Sequence, residues 1–218
     1  MKLGQKKVKL TNPRGLVREY QACGVNAIIT ILHHLGYDDQ VTAEEIKEIF
    51  EYSSEGINLE SHRFNKLNCL LKQKKIPYGF YIKKYTALQD LYPLLDKQGP
   101  VPVFFLMKVL QFSQRYYVNL EYEPHFGDVF QSYNLHVLLF VGFNQSKDEI
   151  LFIDPSYQMP FIRPTEKDLT KHYFKLDKKQ FYGTTRGVKT AILVKYSLSD
   201  HKRYKAEGKC KLQQSTLK

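Results

Sequence analysis

The sequence predicts an α+β domain, with N-terminal helices packed against a C-terminal antiparallel β-sheet. Two patterns carry that expectation. Apolar residues recur at helical spacing through roughly the first 75 positions, and apolar runs of strand length fill the rest. The two kinds of segment are segregated along the chain rather than alternating, which separates α+β from a βαβ architecture. The 218 residues, 43% hydrophobic and 14% aromatic, suffice for one domain with a sizeable core and exclude wholesale disorder.

The elements follow in order. Val25, Ile28, Ile31, Leu32 and Leu35 lie at helical spacing, and Gly36 supplies the stop. Thr42 and Glu45 have the form of a capping box, opening a second helix that buries Ile46, Ile49 and Phe50. A third amphipathic stretch, about residues 59–74, places Phe64, Leu67, Leu70 and Leu71 on one face, with Cys69 expected in the core. Residues 77–82 alternate as a strand does, and a short helix follows near 86–95. Gly99-Pro100 punctuates before a buried strand at 101–107. Residues 136–143 and 149–154 read as a hairpin joined through 144–148, and 188–196 supply a last strand. Between positions 110 and 135 lies an insertion rich in Tyr and Phe, of the length that often forms lids or binding surfaces.

Charge and cysteine usage narrow the classes further. The net charge of +11 is concentrated at the ends: residues 1–18 carry six Lys or Arg and no acid, and residues 197–218 carry six against Asp200 and Glu207. The intervening 178 residues hold 21 bases and 20 acids, a near-neutral body, whereas nucleic-acid binding needs a basic face and is not expected. The basic ends are expected to be solvated tails, the alternatives being contact with RNA, acidic lipid or an acidic partner. No run reaches the roughly 18–20 apolar residues of a transmembrane segment, and the charged first residues lead into no apolar stretch of a signal peptide. Three irregularly spaced cysteines (Cys23, Cys69, Cys210) argue against a disulfide scaffold and for a reducing compartment. The expected location is a cytoplasm, either that of the cell that made the protein or that of a host into which a bacterium delivers it.

The chemistry centres on Tyr20-Gln21-Ala22-Cys23-Gly24-Val25-Asn26-Ala27. A cysteine in the first turn of an apolar helix meets unsatisfied backbone N–H groups and the positive end of the macrodipole. Both favour the thiolate. Gly24 leaves room for a close approach. A thiolate nucleophile needs an imidazole to hold and deliver a proton, and His136 opens a strongly apolar strand. Asp154, followed by Pro155, ends the neighbouring strand of the same hairpin, where a carboxylate can fix the imidazole's tautomer. Each residue has a plainer reading: a core thiol, a buried structural histidine, a turn aspartate. Together they place Cys, His and Asp at a helix start and two strand ends.

Gln21-x-Cys23-Gly24-x-x-Ala27, the helix ending at Leu35-Gly36-Tyr37, His136-Val137-Leu138-Leu139 and Ile153-Asp154-Pro155 together resemble a family. It is the papain-like cysteine peptidases that process bacteriocin leaders after a double glycine, with their stand-alone relatives. The resemblance spans about residues 12–196, between a basic N-terminal extension (1–11) and a basic C-terminal tail (197–218). It implies a papain-like fold and a peptide or protein substrate. It also implies Cys23 as nucleophile, His136 as general base and acid, Asp154 as orienting residue, and no cofactor or metal. The family's oxyanion-hole glutamine stands six residues before the cysteine, where this chain has Val17. Gln21 is the only glutamine nearby and is the candidate for that role.

The expected activity is therefore hydrolysis of a peptide or amide bond through an acyl-enzyme. Two alternatives stand beside it: acyl transfer to an amine by the same triad, with the aromatic insertion excluding water, and a non-catalytic binding module that borrows the fold. Other signals are set aside. His33 and His34 are adjacent and point about 100° apart on a helix, unlike two ligands of one metal. His125 and Asp128 fall in the insertion, and Cys210 in the charged tail. Phosphate-binding glycine loops, metal motifs and Gly-x-Ser-x-Gly elbows are absent.

Overall fold

The structure is a computed structural model that describes residues 5–8, 16–17, 22–53, 57, 60–106, 135–155, 174–185 and 189–196. Strand β1 (Gln5–Lys7) precedes the helices α1 (Cys23–His34), α2 (Ala43–Ile49) and α3 (Ser61–Gln73). The order then runs β2 (Tyr78–Lys84), α4 (Tyr92–Gln98), β3 (Val101–Leu106), β4 (Leu135–Asn144), β5 (Glu149–Ile153), β6 (Phe174–Leu176), α5 (Lys178–Thr184) and β7 (Thr190–Tyr196). The architecture is α+β, as the segregated patterns predict.

The local signals explain the helices. Gly36 at φ +82° ends α1, with Tyr37 N–H donating to the Leu32 carbonyl. The capping box forms: Glu45 N–H donates to Thr42 Oγ1 at 3.2 Å, and Thr42 N–H to Glu45 Oε2 at 2.9 Å. The short helix expected near 86–95 divides instead into a single 3-10 turn at Leu88–Asp90 and α4. Asp90 accepts the N–H groups of Thr86 and Ala87, and Pro93 sits in the first turn of α4, where its missing N–H costs nothing.

All strand pairings are antiparallel, in the order β2-β7-β3-β4-β5-β6. β1 pairs with the end of β4 at residues 142–144, beyond the stretch that β3 occupies. Three residues of the expected basic extension thus join the sheet. The predicted hairpin is β4–β5, with a register shift between Phe140 and Gly142. β4 is buried along residues 136–144, consistent with a central strand covered on both faces.

α1 packs on β4, α2 bridges α1 and α3, and α3 packs on β2. Residues 23–32 of α1 are all buried, so the helix is enclosed rather than amphipathic. Phe105, Phe140, Phe152 and Phe181 form a connected aromatic cluster in the core. Cys69 departs from expectation: it is half-buried and disulfide-bonded, not a core thiol. An odd cysteine count leaves room for one pair beside the free Cys23, so the count alone does not argue for a reducing compartment. Among the described residues no helix is long and apolar enough to cross a membrane. The aromatic insertion, apart from Leu135, lies outside the described residues, as do His125, Asp128 and the tail 197–218.

Candidate functional site

Cys23 is the first residue of α1. Ala22 at the N-cap has no side chain able to cap the helix, and the first turn holds no acidic residue. The N–H groups of Cys23, Gly24 and Val25 have no carbonyl partner within the helix, and the first intrahelical bond runs from Asn26 N–H to the Ala22 carbonyl at 2.9 Å. Local geometry thus offers the sulfur a partly positive surround.

The hairpin brings the other two residues together. Leu139 pairs with Ile153, so the register continued by one residue sets Asp154 beside Leu138. His136 is then the next side chain along on the same face, a diagonal neighbour. His136 Nε2 and Asp154 Oδ2 lie 2.8 Å apart, with the histidine 4% and the aspartate 0% exposed. The ring's other nitrogen, Nδ1, is left for the second partner, and the Cys23 thiol hydrogen-bonds the same ring. The three residues predicted from the sequence therefore converge, although Cys23 and His136 are separated by most of the chain. Cys23 is 7% exposed.

Electrostatics follow from this packing. Burial opposes a charged imidazole, but the Asp154 carboxylate, then Cys23, and hydrogen bonds from both outweigh it and push the His136 pKa up to about 10.

One residue of the site was not foreseen. Asn26, fully buried, accepts the Val17 N–H at Oδ1 (2.8 Å) and donates from Nδ2 to the carbonyls of Val17 (2.9 Å) and Pro155 (3.2 Å). An asparagine among Val25, Ala27, Ile28 and Ile29 was the available signal, since a buried amide without partners costs roughly 1–3 kcal/mol. Val17, six residues before Cys23, has its N–H committed to Asn26. Gln21 lies outside the described residues.

The set-aside histidines behave structurally. His33 Nδ1 bonds Asp38 Oδ2 at 2.6 Å, and His34 lies over Gly99, whose φ of +79° and close approach exclude a side chain. A cavity of about 370 Å³ lined by His34, Tyr78, Gln98 and Tyr196 opens at that end of α1, roughly 16 Å along the helix from Cys23. Among the described residues no group of three or more His, Cys, Asp or Glu side chains is placed to hold a metal.

No protein-family model matches the chain, and no curated protein matches it. Among solved structures it is similar to a protein described as a C39-like peptidase from Bacillus anthracis, at 14% identity, with a TM-score of 0.49 over 88% of this chain and 99% of that one. It is also similar to the peptidase domain of Streptococcus ComA, a bifunctional ABC transporter involved in a quorum-sensing pathway. That match has 13% identity and a TM-score of 0.46, covering 86% of this chain and 97% of the other. Both likenesses concern the course of the chain alone.

Proposed function

We propose that the protein is a thiol hydrolase that cleaves a peptide or amide bond through Cys23, His136 and Asp154, in a catalytic domain spanning residues 12–196. The observation that carries this reading is the convergence of both partners on one buried ring: His136 bonds the Asp154 carboxylate through Nε2 and the Cys23 thiol as well.

In the proposed mechanism the Cys23 thiolate attacks the substrate carbonyl carbon. A C–S bond forms, and the carbonyl oxygen takes up the electron pair. The Cys23 N–H at the helix start donates to that oxyanion, with Gln21 as the candidate side-chain donor. His136 passes its Nδ1 proton to the leaving amine as the C–N bond breaks, leaving a thioester. The neutral ring then accepts a proton from water, whose oxygen attacks the thioester carbon and releases the acid and the thiolate. Asp154 keeps the ring oriented and balances its charge at both stages.

Labelling the native protein with iodoacetamide and mapping the adducts tests the reading without knowledge of the substrate. Cys23 is expected to react much faster than free glutathione at the same pH, and Cys23→Ala to abolish hydrolytic activity. Labelling of Cys23 no faster than glutathione overturns the proposal.

A further inference from the structure

Among the described residues, three side-chain amides grip backbone in a similar manner. Asn68 on α3 pairs with both the N–H and the carbonyl of Phe80 on β2. Gln98 accepts the Val194 N–H and donates to the Ile192 carbonyl of β7. Asn26 pairs with both backbone groups of Val17, and adds a third bond to the Pro155 carbonyl, 129 positions away in the chain.

Gln98 also makes a third bond, to the Pro100 carbonyl two positions on, but of the three amides Asn26 is the one whose third bond reaches the turn that carries Asp154. Asn26 is three residues after Cys23, so the two side chains neighbour each other on one face of α1. Pro155 directly follows Asp154 and has no N–H of its own with which to anchor the turn. The amide's oxygen and both its protons are engaged, so it has nothing left to offer a substrate. We propose that Asn26 is the positioning residue of this site: it ties the Asp154 turn to the first turn of the Cys23 helix and so sets the alignment of sulfur, imidazole and carboxylate. The kinetic part of this inference rests on the thiol-hydrolase reading. The structural part does not.

The test uses the full chain with Asn26→Asp, Asn26→Ala and, as a control of the same bonding type, Asn68→Ala. Asn26→Asp keeps the acceptor for Val17 N–H and removes both donors, so it remains decisive where Asn26→Ala, which strands that N–H, fails to fold. Two quantities are read: the rate of Cys23 alkylation by iodoacetamide at pH 6, and the His136 ring titration by NMR in a Cys23→Ala background. The Asn26 variants are expected to slow alkylation by about tenfold or more and to lower the His136 midpoint by about one pH unit or more, as Asp154 drifts from the ring. Asn68→Ala is expected to lower the melting temperature and change neither quantity. An Asn26→Asp protein that melts lower yet keeps the parent alkylation rate and His136 titration overturns the inference, because the amide is then merely structural. Should the parent Cys23 itself label no faster than an ordinary thiol, the hydrolase reading falls, while the His136 titration still decides the role of Asn26.

Discussion

Among the described residues stand two histidine–aspartate pairs of nearly equal length, at opposite ends of one helix. His33–Asp38, at 2.6 Å, joins residues five apart around the C-terminal stop of α1, with side chains 22% and 15% exposed. His136–Asp154, at 2.8 Å, joins two strand ends beside the N-terminus of the same helix, with side chains 5% and 0% exposed. A short imidazole–carboxylate contact is therefore no signature of catalysis in itself. What separates the pairs is the third partner and the field around it. Only the second meets a thiol at a helix start, with the ring sealed from solvent so that its charge must be balanced by protein groups.

The sharpest way to break this distinction is substitution at the two histidines. His136→Gln is expected to reduce turnover by about 10²–10⁴-fold, the usual loss on removing a general acid–base, and His33→Gln to leave it within about twofold. Comparable losses from both, measured as kcat/KM on a generic amide substrate, would erase the difference between the sites.

A second contrast lies in proton linkage. Because the folded His136 pKa, about 10, stands above its ordinary 6.5, the protonated ring stabilises the fold fully below pH 6.5 and loses that contribution as pH rises through 10. Asp154→Asn removes the largest stabilising charge, so the His136 midpoint is expected to fall by more than one unit and the alkaline decline in melting temperature to shrink. Asp38→Asn is expected to leave the His136 midpoint unmoved in the same NMR titration.

Two smaller changes probe the other end of α1. Gly99→Ala forces a side chain onto a backbone at φ +79° and against His34, and is expected to cost about 1–3 kcal/mol in urea unfolding. Thr42→Ala removes the cap of α2 and is expected to cost about 1 kcal/mol. Neither is expected to alter Cys23 alkylation. A change in reactivity from either would show that the two ends are coupled through the helix.

Legibility in the sequence followed the range of the interaction. The capping box at Thr42, the stop at Gly36 and the β4–β5 hairpin are set by neighbours within a few residues, and spacing alone revealed them. The hairpin also made the His136–Asp154 contact readable, since strand pairing fixes which side chains can meet. That Cys23 reaches the same ring depends on α1 packing against β4, which no local pattern encodes; chain order and family resemblance suggested it. Asn26 was overlooked because its three partners are backbone groups, invisible to residue identity. β1 escaped because Gln5–Lys7 is charged and short, as an edge strand can be. β6 and α5 are too brief to show a period. The disulfide at Cys69 is not legible for a related reason: connectivity cannot be deduced from cysteine spacing.

The placement of His136 carries a consequence for how the molecule opens. Its strand is bonded by β1, β3 and β5, so separating it from the sheet breaks several ladders at once. Hydrogen exchange at the amides of residues 137–141 then requires near-complete unfolding, whereas short peripheral segments can detach at lower free energy. His136 is thus built into a strand expected to exchange slowly, and it is expected to keep its place through local openings elsewhere.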